Sequence, residues 1–296
     1  MSDSDTSRGF IYYVSWVLWP GLLAGSVFAV LHGVAKGFDP IMMLFGVYLV
    51  LVLCIAFLEK VMPHEPSWNA NDGQVKNDLF HTLFSYIFVG AVAEAAVIAV
   101  VAKLVILSTT LSSGAIWPTD LPIWSQFILL LFVAEIGAYL AHRLSHEVPF
   151  LWRFHAIHHS APSLYWFNTG RFHFIDVLET VVLALPLPII LGAPAELMFT
   201  FTCFTMFVGV LSHCNIEMRF GILNWIFNTP GVHRWHHSRD LKEGNSNYGE
   251  NLMLMDVLFK THFTSDRRPT IVGTGTPVPL SIWGQMTRPF TGYDKD

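Results

Sequence analysis

Residues 41–58, IMMLFGVYLVLVLCIAFL, run eighteen positions without a charged side chain. A helix needs about 20 apolar residues to cross a bilayer, and this run nearly supplies them. Comparable runs lie at about 10–35, 79–107, 121–141, 174–192 and 195–212. The last two meet at GAP (192–194) and carry Pro186 and Pro188, so they read as a hairpin that either crosses fully or dips into the membrane. Only 13% of the chain is charged, against about 25% in ordinary soluble domains. The expected fold class is an all-α integral membrane protein: a transmembrane helical bundle of roughly six segments with a cytosolic histidine-rich helical cap.

The opening MSDSDTSRGF lacks the basic start and small-residue cleavage site of a signal peptide, so the first segment is expected to remain as an anchor. Cys54, Cys203 and Cys214 form no even framework and no C-x-x-C, which suits a reducing side. A net charge of −5 with no basic arm argues against a nucleic-acid partner.

Basic residues orient the segments, because Lys and Arg favour the cytoplasmic ends of short loops. With the N-terminus in the cytoplasm, the loops at 36–40 and 108–120 and the turn near 193 lie outside, and they hold only Lys36. Lys103 sits within a segment; the other fifteen of the 17 Lys and Arg then fall inside. Ten of the 14 histidines, from His142 to His237, are assigned to that same side. The organisation that follows is membrane helices over 1–120, a catalytic region over 121–265 that includes the 174–212 hairpin, and a cytosolic tail over 266–296.

The histidines carry the chemistry. Positions three and four apart share a helix face, so His142 and His146 in AHRLSHE project together. His155, His158 and His159 do so in WRFHAIHHSA, and His233, His236 and His237 repeat that H-x-x-H-H spacing in GVHRWHHSRD. His173 and His213 stand at the membrane edges of the hairpin and could complete a ring. Imidazole suits zinc, copper, iron and nickel. A structural zinc site closes with four ligands, usually including Cys, and the H-E-x-x-H of zinc hydrolases is absent. Ten imidazoles suit two ions with four or five nitrogen ligands each, which explains why the cluster is written twice. Two such ions beside a membrane point to O₂ chemistry on a lipid C–H bond, which redox-inert zinc does not perform.

These motifs resemble the fatty acid hydroxylase / sterol desaturase superfamily of membrane non-haem diiron oxygenases. The resemblance covers roughly 125–265: AHRLSHE, LWRFHAIHHS, NTPGVHRWHHSRD and NYGENLMLMDVLFKT. In the last of these, Lys260 stands where the family usually has glycine, and Phe174 follows His173 where many relatives have proline. NTPxxHRxHH is most similar to the alkylglycerol monooxygenase and bacterial sterol-desaturase-like branches. The resemblance implies hydroxylation or desaturation of a sterol, fatty acyl or alkyl-ether lipid. It implies two iron ions as cofactors, O₂ and an external electron donor. His142, His146, His155, His158, His159, His233, His236 and His237 match the family's ligands, and His173 and His213 are carried as further ligands.

Supporting residues are expected around them, because ligating histidines usually give their second ring N–H to a carboxylate or carbonyl. Glu135, two turns before His142 on the same face, is an intramembrane carboxylate and thus a functional candidate. Asp256 matches the family's ending, and Asn215 is placed to position a metal-bound water. Asp176, Glu179 and Asp240 are further carboxylates near the motifs; Glu94 and Lys103 fall on opposite faces and are not expected to pair. The aromatic stretch 163–172 reads as an interfacial belt, with lining of the substrate entrance as the other reading. Arg143, Arg153, Arg171, Arg234 and Arg239 are expected to meet headgroups or an acidic electron carrier. No flavin, haem-attachment or iron–sulfur motif is present, so electrons are expected from a partner. A zinc-dependent membrane hydrolase is the alternative function, and a non-catalytic metal binder or transporter a third.

Overall fold

The structure is a computed structural model describing residues 3–109, 116–269, 271–275 and 277–291. Most of the expected 108–120 loop and the end of the tail lie outside the described residues. Helices α1 (Asp3–Ala35) and α2 (Pro40–Val61) form an opening hairpin. Pro40 starts α2 with its φ already helical, and Asp39 caps it by accepting from the Met42 amide at 2.9 Å. The third long segment joins α3 (Val75–Phe80), a widened π-helical stretch (His81–Val89) and α4 (Gly90–Thr109). Next come α5 (Ile123–Glu147) and α6 (Pro149–His159), then α7 (Phe174–Ala184), α8 (Pro186–Leu191) and α9 (Ala195–His213). Pro186 cannot continue the α7 hydrogen-bond ladder, so the chain breaks there and restarts as α8.

Six helical stretches are long and apolar enough to cross a membrane: Ile11–Ala35, Pro40–Val61, Val75–Ile106, Ile123–Glu147, Phe174–Leu191 and Ala195–His213. They match the six runs of the sequence within a few residues, with α7 and α8 together counting as one. No strand occurs among the described residues, and the chain is a multi-pass membrane protein. Phe28, Val50, Phe57 and Phe88 stand exposed on the outer helices. That is expected where the solvent is hydrocarbon and every backbone group is satisfied within its own helix.

One core joins Trp19 and Val30 of α1, Leu51 and Ile55 of α2, Leu130 of α5, and Phe204, Phe207 and Leu211 of α9. On its other flank α5 approaches α7 so closely that a Cβ at Gly137 would collide with the Leu183 carbonyl. This contact sets the last turns of α5 beside the first turn of α7.

The polar end is built from α10 (Pro230–His236), α11 (Leu241–Gly244), α12 (Leu254–Phe259) and α13 (Ile282–Thr291). The last of these is tied to the start of the third span. Gln285 Oε1 lies 3.0 Å from His81 Nε2, and Asn77 Nδ2 donates to the Leu280 carbonyl at 2.6 Å. Two of the five arginines expected at the surface are internal. Arg171 pairs with Asp78 at 2.6 Å, with both side chains buried, and Arg234 donates to the carbonyls of Cys214 and Ile216. Desolvation is so costly for a lone guanidinium that each is supplied with acceptors. Tyr165 of the expected aromatic belt likewise turns inward, donating to Asp78 at 2.7 Å.

Candidate metal centre

Four helices end at one place. His142 and His146 occupy the last two turns of α5. Pro149 then opens α6, whose final turns carry His155, His158 and His159. His213 is the last residue of α9. Pro230 opens α10, which presents His233 and His236, with His237 as its C-terminal cap. The nine rings are all buried, at 5% exposure or less.

They fall into two groups: His142, His146, His155, His159 and His236; and His158, His213, His233 and His237. Within each, one ligand atom per residue lies within 4.8 Å of all the others. The two H-x-x-H-H boxes exchange members. The first gives its i, i+4 pair to the five-histidine group and His158 to the other. The second gives its i, i+4 pair, His233 and His237, to the four-histidine group and sends His236 across. The groups touch where His159 and His237 stack, with centroids 4.3 Å apart.

The donor atoms fit metal ions. His159 Nε2 lies 3.1 Å from Nε2 of both His146 and His236, and His233 Nε2 lies 3.0 Å from Nε2 of His237. Two imidazole nitrogens at about 2.1 Å from one ion, bound at right angles, stand about 3 Å apart. Nε2 of His142, His155 and His213 is buried with no hydrogen-bond partner, an arrangement that is costly unless something is bound. Burial, reinforced by neighbouring imidazoles, holds His158, His159, His233 and His237 well below their ordinary pKa of 6.5. His236 is pushed down to about 3, chiefly by burial. Neutral imidazole is the form that ligates.

The outer ring nitrogens are held in turn. Nδ1 of His142 donates to the Tyr248 carbonyl at 2.8 Å, that of His236 to the Ser246 carbonyl at 2.7 Å, and that of His155 to Asp176 Oδ2 at 3.0 Å. His213 Nδ1 meets Asn168 Oδ1 at 3.0 Å, and His146 Nδ1 meets Asn245 Oδ1 at 3.3 Å. These contacts fix tautomer and ring plane so that the Nε2 atoms converge.

The comparisons agree with this geometry. The fatty acid hydroxylase family model matches residues 127–261. An ornithine lipid hydroxylase of Rhizobium tropici is 43% identical over 288 residues, covering 94% of this chain and 84% of that protein. This chain belongs to the fatty acid hydroxylase family. An alkylglycerol monooxygenase of Xenopus tropicalis is 29% identical over 161 residues, 54% of this chain but 35% of that protein. A very-long-chain aldehyde decarbonylase of rice is 27% identical over 179 residues, 58% of this chain and 68% of that protein. No solved structure gives a significant match. The chain is therefore an enzyme of this lipid-acting oxygenase family.

In this family member the other expected site residues are placed as follows. His173 joins neither group. It caps α7, its Nδ1 accepting from the Ile175 amide at 3.2 Å while Nε2 faces the Met286 carbonyl at 3.3 Å, so both ring nitrogens are engaged. Glu135 belongs to neither group; it accepts from the amides of Glu250 and Asn251 and so anchors the loop that holds His142. Asp256 secures the same loop by accepting from the amides of Tyr248 and Gly249 at 2.8 and 2.7 Å. A Cβ at Gly249 would strike the Leu252 carbonyl, so the loop depends on glycine there. The Asn215 side chain is engaged elsewhere, pairing with both the amide and the carbonyl of Glu65. Asp240 caps α11, and Glu179 accepts from Ser145 at 3.2 Å. Sequence reasoning missed Asn168, Asn245, Ser246 and Tyr248. The only available signal was the NYG element already noted in the 247–251 stretch.

Proposed function

We propose that this chain is a membrane-bound diiron hydroxylase of an amino-acid lipid of the ornithine class, with the nine histidines as its ligands. The observation that carries the reading is the pair of adjoining, buried histidine groups, each completed by both H-x-x-H-H boxes. The substrate class is supported by 43% identity to an ornithine lipid hydroxylase along nearly the whole chain. Two irons bound there would supply the O₂ activation that C–H hydroxylation needs. The chain's own residues do the rest. Asp176, Asn168, Asn245 and the carbonyls of Ser246 and Tyr248 orient the imidazoles, and burial of all nine rings keeps bulk water away. The 121–265 region carries the chemistry, and the first 120 residues anchor it. The distribution of Lys and Arg supports a cytoplasmic position for the histidines, where a separate carrier delivers electrons.

The test is metal analysis and turnover of detergent-purified protein. About two irons per chain are expected, following from the two groups. With a reductant, an O₂-dependent gain of one oxygen on ornithine lipid should be seen by mass spectrometry and lost in His158→Ala and His236→Ala. A preparation that holds only zinc and acts without O₂ would instead select a hydrolase.

A further inference from the structure

Glu250 is a carboxylate beside the five-histidine group, on a backbone held at both its amide and its carbonyl. Its amide donates to Glu135 at 2.6 Å and its carbonyl accepts from Asn228 Nδ2 at 3.2 Å, so its backbone is fixed on both sides. Oε1 lies 3.2 Å from Nδ1 of His142, but that ring nitrogen has one proton at most and already donates to the Tyr248 carbonyl at 2.8 Å. Among the described residues no Lys or Arg pairs with Glu250.

The carboxylate is not sealed in. Its side chain is 34% accessible. The rim of the five-histidine group thus carries an accessible carboxylate. In an apolar setting an unpaired carboxylate is unfavourable, and a cation brought by a ligand relieves it.

We propose that Glu250 is the specificity-determining residue that receives a cationic amine of the lipid headgroup. The proposal rests on the reading of this enzyme as a hydroxylase of ornithine-type lipids, since ornithine joined to an acyl chain through one nitrogen keeps a free amine on the other. A carboxylate at this distance from the ligands sorts lipids by headgroup charge before any bond is made or broken.

The test uses the full-length protein and two synthetic probes: a short-chain ornithine lipid and the same lipid acetylated on its free amine, which removes the charge. Binding is measured first on metal-free protein in detergent. Wild type should bind the free amine at least tenfold more tightly. Glu250→Gln should abolish that preference, chiefly by weakening the amine complex. Iron content of Glu250→Gln near the wild-type level separates headgroup recognition from a role in holding His142. Equal binding of the two probes by wild type overturns the proposal, as does a preference that survives in Glu250→Gln. The wild-type comparison decides even where a variant fails to fold. The hydroxylase reading stands or falls separately: iron-loaded wild type that oxidises neither probe defeats that reading, while the binding arm still judges Glu250.

Discussion

Asp176 accepts from Nδ1 of His155 at 3.0 Å, and both side chains are only 3% exposed. The carboxylate comes from the first turn of α7, and the ring from the middle of α6. Losing such a partner typically costs 10–100-fold in metal affinity. Asp176→Ala should therefore lose iron to a chelator about 10–100-fold more readily. Asp176→Asn, which keeps an accepting oxygen, should fall between. Wild-type retention in Asp176→Ala would show that this contact does not orient the ring.

The partition of the boxes predicts selective loss. His233→Ala removes a member of the four-histidine group only, so iron should fall from about two per chain towards one, the other group keeping its donors. His142→Ala should act on the five-histidine group in the same way. Loss of all iron from either variant would mean that the groups load as a unit.

His173 gives a contrasting case. Because both its ring nitrogens are engaged away from the two groups, His173→Ala should leave the iron content unchanged. It should destabilise the fold by about 1 kcal/mol, the usual scale for a lost helix cap. Metal analysis and thermal unfolding of one preparation check both parts.

Lys260 ends α12 at φ 59° and ψ 34°, in the left-handed region. A side chain there costs about 1–2 kcal/mol relative to glycine. Lys260→Gly should raise stability by up to about 1 kcal/mol once the greater freedom of the unfolded chain is offset. A lower melting temperature would show that the lysine makes a compensating contact.

The metal-free protein should weaken in acid. Burial holds His158, His159, His233 and His237 well below 6.5 and His236 at about 3 in the folded state. Unfolded, the same groups titrate near 6.5. Below that pH the unfolded chain binds more protons, so the stability these groups contribute is complete above about 6.5 and is lost as the pH falls towards the folded values. The melting temperature of metal-free protein should drop between about pH 7 and about pH 5. A flat profile would contradict the burial of the neutral rings.

The histidine boxes were legible because ligand spacing and helix period are both local. Their partition was not. On a helix His155 and His159 lie about 40° apart, while His158 is turned about 100° from His159, but only the tertiary fold, which brings rings of α5, α9 and α10 to α6, decides which side meets which partner. The loop contacts were hidden for another reason. The acceptors for His142 and His236 are backbone carbonyls of Tyr248 and Ser246, and any residue type supplies a carbonyl. Glu135 was found by its cost in an apolar run, yet its partners are amides 115 and 116 positions away, which no periodicity encodes. Arg171 looked like a surface cation because its acceptor, Asp78, lies 93 positions earlier.

The exchange of members between the two boxes also bears on assembly at the ribosome. When residues 155–159 leave the exit tunnel, His155 and His159 lack His236, while His158 lacks His233 and His237. Neither nest of donors is whole until the segment through His237 has been made and has docked beneath the earlier helices. Full loading of the two proposed irons would therefore wait for the segment that carries His233, His236 and His237.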